Sequence, residues 1–531
     1  MTRARLLLGG AIAAAILTAL TPIRLGAQSP STLVVAWNTA RTALDPNEPT
    51  VFLTPPAAYE GASLIYDGLV RLDAALTISP ELATSWRVAA DGRTWTFKIR
   101  PGVSFHDGTT FTARAAAAAL QRELDPKANP ANRLLWDPIV SVAAIDDGTL
   151  RVVTNEPYGA LLNTLAHGSA LIARGSREEA SATQPRPDTA GTGPYRLDRW
   201  EAGRQLELVR NTSYWAGRSG FERVVLRGTA DPAARTAMIR GGQVQVAEGI
   251  PPAQVSGLER LAGTTVSITP GLRTFGMAIN LTRPALRDVR VRHALNYAVN
   301  KDLIVKALFQ QRATVLHAPL APQAVGYADM GGWPYDPPRA RRLLEAAGWK
   351  PAPPIGVRVR EGKSLELTLL TPRGAFPRDV EVVETMADYL RNVGFGIHFL
   401  YVEPGQLWDE LLAPPDQLQW DLAFFGFEPV NGDGGFQLDA LYRSNPDPKR
   451  RPPIRNVTWY ANPPVDAWLT QGRRAIDPRV SAAAYSKAAR QVWNDAPYLW
   501  LYSEDVIVAT RNVRGVEVLP TGATVLRSAH P

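Results

Sequence analysis

The sequence predicts an α/β fold that contains more than one hydrophobic core. The first observation is length: roughly 500 residues follow the N-terminal leader, which is too many for one core. The second is an alternation of strand and helix patterns from Leu365 to Phe427, which favours parallel strands joined by right-handed crossovers. The third is composition, since 45% hydrophobic and 20% charged residues are typical of globular domains.

The N-terminus has the order of a secretory signal peptide. Arg3 and Arg5 precede an apolar stretch from Leu6 to Leu20, and small residues lead to Gln28. We expect residues 1–27 to be removed. A signal anchor is the alternative, but the apolar stretch is short for a bilayer span of about 20 residues. The chain has no cysteine, which predicts a periplasmic protein without disulfides or a lipid anchor.

The first part of the mature chain contains strand and helix patterns separated by turn residues. Thr32 to Trp37 is apolar and β-branched, which predicts a strand. Thr94 to Ile99 alternates apolar and polar residues between Asp91-Gly92 and Pro101-Gly102, which predicts a half-buried hairpin strand. The alanine-rich stretch from Ala113 to Leu124 predicts a helix.

Helix boundaries are marked most clearly after residue 335. Asp336 suits an N-cap, Pro337 the first helical turn and Gly348 the left-handed stop. Asp288 and Asn300 predict the caps of two further consecutive helices.

The alternating region predicts three loops at one edge of a parallel sheet. Its predicted elements are a strand at 365–371, a helix at 379–392, a strand at 395–402, a helix at 406–413 and a strand at 421–427. Ligands of such sheets bind beyond the carboxyl ends of the strands. The loops there carry the candidate binding residues Arg373, Arg378, Glu403, Asn431 and Asp433.

Two of these residues have a specific chemical interpretation. Arg373 could hold a carboxylate through two parallel hydrogen bonds, or it could be a solvated loop residue. Asp433 lies in the turn Asn431-Gly432-Asp433-Gly434-Gly435. It could accept a ligand ammonium group or only stabilise that turn.

No catalytic pattern stands out in the sequence. There is no histidine spacing for a metal, no glycine loop for a phosphate and no nucleophile elbow, so no cofactor or metal is expected. His106-Asp107-Gly108 is better interpreted as a turn than as a catalytic dyad. The net charge of +8 comes from scattered Lys and Arg, which favours a basic surface over nucleic-acid binding.

Six ordered blocks resemble one protein family. The longest is IYDGLVRLDAALTISPELATSWRVAADGRTWTFKIRPGVSFHDGTTFTA from Ile65. It is followed by GTGPYRLDRW with RNTSYW, INLTRPALRDVRVRHALNYAVNKDLI, YDPPRARRLLEAAGW, YANPPVDAWL and APYLWLY. Together they resemble extracellular solute-binding protein family 5, which includes the dipeptide, oligopeptide, glutathione and nickel binders of ABC importers. The resemblance covers essentially the whole mature chain.

The resemblance implies a two-lobed periplasmic-binding-protein fold of the large peptide-binder type, with mixed sheets and a ligand cleft between the lobes. The implied boundaries are 28–272 for the first lobe with an extra subdomain, 273–497 for the second lobe, and 498–531 for a return into the first. The crossovers are expected near 271–280 and 497–503. Three blocks, at 66–69, 105–108 and 193–195, are expected to form scaffold turns and core.

The resemblance to the family is weakest at the residues that determine ligand specificity. Dipeptide binders of the family carry an acidic residue where this chain has Val430, three residues before Asp433. The aromatic residue of that loop is present as Phe427, and the family's carboxylate-binding arginine corresponds to Arg373 with an offset of about one residue. No histidine occurs between Leu400 and Ser528, which argues against nickel binding.

The expected function is therefore that of a substrate-binding component of an ABC importer. It would bind peptides or similar small polar solutes as a monomer, close its lobes and dock on the membrane permease. One alternative is an exported hydrolase acting on peptides or glycans, for which no catalytic pattern is visible. The other is a sensory or chaperone-like binding protein with the same fold.

Overall fold

The computed structural model describes residues 31–37, 60–125, 132–174, 190–353, 356–447 and 456–531. The predicted signal peptide, residues 1–27, lies outside these ranges. Within them, no helix combines the length and the apolar character that a membrane crossing requires.

The strands of the described residues are β1 (Thr32–Trp37), β2 (Val70–Leu72), β3 (Ile78–Pro80), β4 (Ala83–Val88), β5 (Thr94–Ile99), β6 (Ile139–Asp146), β7 (Thr149–Thr154), β8 (Tyr195–Glu201), β9 (Gln205–Arg210), β10 (Arg223–Gly228), β11 (Val246–Glu248), β12 (Thr264–Ile279), β13 (Ala313–Val315), β14 (Val359–Arg360), β15 (Lys363–Ser364), β16 (Glu366–Pro372), β17 (Gly396–Val402), β18 (Leu422–Phe427), β19 (Tyr498–Arg511), β20 (Glu517–Val518) and β21 (Thr524–Val525).

The α-helices are α1 (Glu60–Ile65), α2 (Ala113–Gln121), α3 (Arg133–Trp136), α4 (Leu161–Leu165), α5 (Pro232–Arg240), α6 (Val255–Glu259), α7 (Val289–Ala298), α8 (Lys301–Phe309), α9 (Pro337–Ala346), α10 (Asp379–Arg391), α11 (Leu407–Leu411), α12 (Gly434–Tyr442), α13 (Pro463–Arg474) and α14 (Pro478–Asp495).

One mixed sheet runs through both lobes. Its strand order is β17-β16-β18-β12-β19-β11-β1-β10-β9-β8, with β13 also paired to β19. The first lobe is built on β1 and β8 to β11, and the second on β16 to β18. The long antiparallel strands β12 and β19 connect them. The α/β two-lobed fold predicted from the sequence is therefore confirmed.

The pairing of β12 with β19 is interrupted where the chain passes between the lobes. Register holds from Thr264 to Pro270, shifts, and resumes at Thr274, where β12 also begins to pair with β18. A side chain at Gly271 would place its Cβ 2.4 Å from the carbonyl oxygen of Glu504. Only glycine fits this approach of the two crossover strands.

The parallel strands of the second lobe match the sequence prediction. β16 pairs in parallel with β17 on one side and with β18 on the other, so β16 is central. Alternate residues of β16, including Leu367 and Leu369, are buried in the core with Val383 and Leu390 of α10. The carboxyl ends of these strands lie at one edge, as expected for right-handed crossovers.

A separate antiparallel sheet, in the order β4-β5-β7-β6, lies in the region where the family resemblance implies an extra subdomain. Trp95, Phe97 and Ile99 of β5 are buried and the residues between them are not, which confirms the predicted alternation. α2 packs on this sheet and ends at Gln121, after which a 3-10 turn covers 122–124. The predicted helix to Leu124 is therefore shorter than expected.

The predicted helix caps are present. The side chain of Asp336 accepts a hydrogen bond of 2.8 Å from the backbone N–H of Arg339, and Gly348 has a φ of +87°. Asp288 and Asn300 cap α7 and α8 in the same way. These caps fix where consecutive helices begin, because they satisfy backbone donors that have no partner inside the helix.

Residues of the most recognisable sequence blocks make hydrogen bonds within the first lobe, and the scaffold role expected for these blocks stays a prediction. Asp67 is fully buried and accepts hydrogen bonds of 2.9 Å from both the Thr192 hydroxyl and the Trp215 indole. His106 contacts the carbonyl oxygen of Gly193 at 3.0 Å and does not form a dyad with its sequence neighbour. These groups join distant turns of the first lobe.

Candidate ligand-binding cleft

A cavity of about 410 Å³ lies between the two lobes. The first lobe contributes residues 248–252 after β11 and part of the C-terminal segment, 520–522 and 524. The second lobe contributes Pro377 and Arg378 after β16 and Glu428 after β18, and the connecting strands contribute Arg273 and residues 504–508. The wall is therefore made of segments whose distance changes when the lobes move.

A second cavity of about 110 Å³ adjoins the first on the side of the first lobe. Thr521 and Thr524 line both cavities. Val430, from the loop after β18, also lines the smaller cavity, where it lies opposite α1 and β2. A solute larger than one amino acid would have space on both sides of Thr521 and Thr524.

An ion pair lies in the wall of the larger cavity. Nη2 of Arg273, on β12, is 2.8 Å from Oε1 of Glu428, and the Glu428 side chain is 10% exposed. The Glu428 carboxylate raises the pKa of Arg273 further above its usual range. A charge-assisted hydrogen bond at this depth holds the loop after β18 against the crossover strand.

Glu504 of β19 is a second carboxylate close to the Arg273 guanidinium. Burial raises the pKa of Glu504 to about 7, Arg273 opposes this rise, and Glu428 and Asp505 add to it. Among the described residues, none donates a hydrogen bond to the Glu504 carboxylate. The group lines the cavity and is only partly buried.

Two buried carboxyl groups meet at the boundary between the cavities. Glu60 at the start of α1 and Glu248 at the end of β11 are 4% and 5% exposed, and their side chains are hydrogen bonded to each other. Oε1 of Glu60 also accepts a 2.5 Å hydrogen bond from the Thr524 backbone N–H. Burial raises the pKa of Glu60 well above its usual value, and the Glu248 carboxylate raises it further.

The two lobes touch beside the cleft. Glu156, after β7, pairs with Arg473 at 2.5 Å and with Arg474 at 2.6 Å, both at the end of α13. The side-chain amide of Asn163 on α4 donates a 3.1 Å hydrogen bond to the carbonyl oxygen of Asn431. These polar contacts join the region of the small sheet to the second lobe.

Of the residues predicted from sequence to bind ligand, Arg378 lines the larger cavity. It has a φ of +57° just before α10, and its Nη1 is 3.9 Å from Oε1 of Glu381. The guanidinium is thus held only loosely and is open to a ligand group.

Arg373 and Glu403 lie outside both cavities. Arg373 is exposed, and its guanidinium stacks 4.0 Å above the ring of Tyr401 on β17. Glu403 is exposed and caps a short turn with Gln406. The backbone N–H of Arg373 is bonded to the carbonyl oxygen of Val402 at the end of the edge strand β17, whereas Arg378, at the other end of the same loop, reaches the cavity.

Phe427, Asn431 and Asp433 are buried behind the wall of the larger cavity. The rings of Phe427 and Phe436 stack with centroids 6.4 Å apart. Asn431 accepts a hydrogen bond from the N–H of Asp433, and Asp433 caps α12 through the N–H of Gly435. Burial raises the pKa of Asp433 to about 6. A ligand-binding role for these three residues stays a prediction.

Sequence reasoning missed Arg273 and Glu504, although a signal was present. Both are charged residues inside strands that are otherwise mainly apolar, in GLRTFGMAI and YLWLYSEDVIVATR. A charge at such a position is costly unless it is paired or faces a cavity. The same argument applies to Glu428, which directly follows the apolar strand β18.

A mixed sheet shared by two lobes, with a charged cavity between them, defines a two-lobed solute-binding protein. The family model for bacterial extracellular solute-binding proteins, family 5, matches residues 77–449. The chain belongs to this family, as the sequence blocks indicated.

Curated relatives match nearly the whole chain. The glutathione-binding proteins GsiB of Shigella dysenteriae serotype 1 and of Escherichia coli strain K12 are each 29% identical over 492 residues, covering 92% of this chain and 92% of theirs.

Solved structures show the same fold. NikA from Brucella suis, in complex with Fe(III)-EDTA, has a TM-score of 0.81 and 22% identity, over 94% of this chain and 99% of its own. The periplasmic binding protein DppA from Helicobacter pylori, in complex with the peptide STSA, has a TM-score of 0.75 and 25% identity, over 94% and 98%.

Proposed function

We propose that this protein is the periplasmic substrate-binding component of an ABC importer and captures peptides or similar small polar solutes. The observation that carries this proposal is the cavity of about 410 Å³ between the lobes, with guanidinium and carboxylate groups in its wall. Positively and negatively charged groups in one cavity can bind the two opposite charges of a zwitterionic ligand. The relatives named for glutathione and the structure with STSA support the same class of solute.

The mechanism is capture without chemistry. Ligand enters when the lobes are apart and contacts both walls only when they are together, so binding shifts the population toward the closed form. The contacts of Glu156 with Arg473 and Arg474 form only when the lobes meet, and they favour that form. The closed, liganded form then docks on the membrane permease.

Arg378 is the cavity residue best placed to bind a ligand carboxylate, because it is exposed and its ion pair with Glu381 is long, at 3.9 Å. The binding roles inferred from sequence for Arg373, Phe427, Asn431, Asp433 and Glu403 remain proposals. The implied boundaries of 28–272, 273–497 and 498–531 are also kept as the working division of the chain.

We propose that the chain is exported, because its N-terminal sequence has the order of a signal peptide, and that it carries no lipid anchor, because the sequence has no cysteine to accept one. Amino-terminal sequencing of periplasmic material is expected to begin close to Gln28. A chain that retains Met1 in the membrane fraction would contradict export by cleavage. The protein is expected to be a monomer, which light scattering of the purified chain measures.

Calorimetric titration tests the proposed function. Reduced glutathione, Met-Leu and Ser-Thr-Ser-Ala are titrated into the purified mature chain, and at least one is expected to bind at one site. Binding is expected to require Arg378, with Arg479→Ala as a control, since Arg479 is exposed outside the cavities and pairs with Asp477, its one ion-pair partner among the described residues. Absence of heat with all three would contradict a peptide-type ligand.

The same samples test the alternative that the protein is a hydrolase. Mass spectrometry after prolonged incubation is expected to recover every peptide intact, because the mechanism breaks no bond. Cleavage that persists after dialysis would contradict simple capture. Uptake of labelled peptide by cells with and without the gene separates import from sensing.

A further inference from the structure

We propose that the Glu504 carboxylate binds the cationic group, an ammonium or a guanidinium, of the captured solute. This assignment rests on the proposed function, and it adds the chemical class of the ligand to it. Glu504 lies on the crossover strand β19 and lines the larger cavity.

Two cations near Glu504 act on other carboxylates of this cavity. Arg273 is held by Glu428 at 2.8 Å. Arg312 acts on Asp505, whose pKa it pulls down against the effect of burial. Arg378 is only loosely paired, 3.9 Å from Glu381, and is the group proposed above for a ligand carboxylate.

Each of the two carboxyl groups of the first-lobe wall has a hydrogen-bond partner. The side chain of Glu248 is hydrogen bonded to that of Glu60, and Glu60 also accepts a hydrogen bond from the backbone N–H of Thr524. Glu504 and Asp505 are the carboxylates of the larger cavity that accept no side-chain hydrogen bond among the described residues, but Asp505 has Arg312 near it, whereas the guanidinium near Glu504 is bonded to Glu428.

An ionised carboxylate removed from water needs a compensating charge or donor. The Arg273 guanidinium lies near Glu504 but bonds to Glu428, so two carboxylates face one cation. Burial is the main cause of the raised pKa of Glu504; Arg273 opposes it, and Glu428 and Asp505 add to it. A ligand cation placed against Glu504 would supply the missing charge and the missing donor together.

Affinity selection with three dipeptide mixtures tests the assignment. The first has free amino termini and no Lys, Arg or His. The second is the N-acetylated form of the first and carries no cation. The third is N-acetylated and contains Lys or Arg. Each is applied to the immobilised mature chain, and retained species are identified by mass spectrometry.

Retention of the first mixture would identify a terminal ammonium as the bound group, and retention of the third a side-chain cation. The second mixture is expected to be at least tenfold less retained than either. Equal retention of the second would overturn the assignment while leaving peptide capture intact. Retention of none would contradict the proposed function and the assignment together.

A variant pair locates the effect at Glu504. In calorimetry with the best retained cationic dipeptide, Glu504→Gln is expected to weaken binding by at least tenfold. Glu517→Gln is the matched control, since Glu517 is an exposed strand residue outside both cavities. Unchanged affinity in Glu504→Gln would overturn the assignment, whichever mixture is retained.

Discussion

Arg273 and Glu428 join the crossover strand β12 to the end of the parallel strand β18, with Nη2 and Oε1 2.8 Å apart. The pair lies in the cavity wall beside Gly271, where the two crossover strands approach too closely for any side chain. It therefore connects the loop that follows the last parallel strand to the part of the chain that passes between the lobes.

A double-mutant cycle measures the strength of this pair. Arg273→Ala leaves Glu428 and Glu504 without a shared guanidinium, so we expect a lower free energy of unfolding. Glu428→Gln is expected to cost less, because Arg273 can turn toward Glu504. Denaturant unfolding of the single and double variants should give a coupling of about 1–3 kcal/mol. Additive effects would contradict a direct interaction.

Glu504 predicts a dependence of stability on pH. Its pKa is raised from 4.5 to about 7, so the folded state binds the proton more tightly than the unfolded chain. The stability contributed by the protonated carboxyl is therefore lost as pH rises from about 4.5 to about 7. Arg273 opposes the loss, and Glu428 and Asp505 increase it.

Because glutamine cannot ionise, Glu504→Gln should raise the melting temperature at about pH 8 by about 1–3 °C and leave it nearly unchanged at about pH 4.5. Calorimetric scans without ligand measure this, with Glu517→Gln as the control. A lower melting temperature at the higher pH would mean that Glu504 is well compensated in the unliganded protein.

Glu156 predicts an effect on lobe closure. Its carboxylate pairs with both Arg473 and Arg474 across the lobes, so Glu156→Gln should favour the open form. We expect faster ligand release, about threefold to tenfold, with little change in the association rate constant. Stopped-flow fluorescence of the tryptophans measures both rates. An unchanged release rate would show that these ion pairs do not hold the lobes together.

The affinities of the Arg373→Ala and Arg378→Ala variants show which of the two guanidinium groups binds the ligand carboxylate. The sequence-based carboxylate clamp predicts that Arg373→Ala weakens binding by at least about thirtyfold. The exposure of Arg373 and its stacking on Tyr401 favour a loss below about threefold, because solvated charges contribute under about 1 kcal/mol. Arg378→Ala is expected to weaken binding of a carboxylate-bearing peptide at least tenfold. A larger loss of affinity in Arg373→Ala than in Arg378→Ala would identify Arg373 as the residue that binds the ligand carboxylate.

The parallel sheet of the second lobe could be predicted from sequence because its signals are local. The cap at Asp336, the positive φ of Gly348 and the alternation in β5 each depend on a few neighbouring residues. The order of the strands in the sheet, in contrast, depends on contacts between residues that are far apart in the sequence. The pattern gives three strands but not that β16 lies between β17 and β18, where Arg373 stacks on Tyr401 of the neighbouring strand β17.

The cleft itself depends on contacts far apart in sequence. Arg273 meets Glu428 across 155 positions, and Glu60 meets Thr524 across 464. The turn around Asp433 is easy to recognise in the sequence because its residues are adjacent. In the structure, however, the Asp433 carboxylate caps α12. A charged residue inside an apolar strand is a weaker local signal, and here it marks the cavity wall at Arg273 and Glu504.

The central claim is that a solute is captured by closure of the two lobes around the cavity. Small-angle X-ray scattering of the mature chain, with and without a saturating amount of the dipeptide retained most strongly, tests it most directly. We predict that the radius of gyration falls on binding, and that Glu156→Gln starts from a larger value without ligand. Superimposable curves with and without saturating dipeptide would contradict capture by lobe closure.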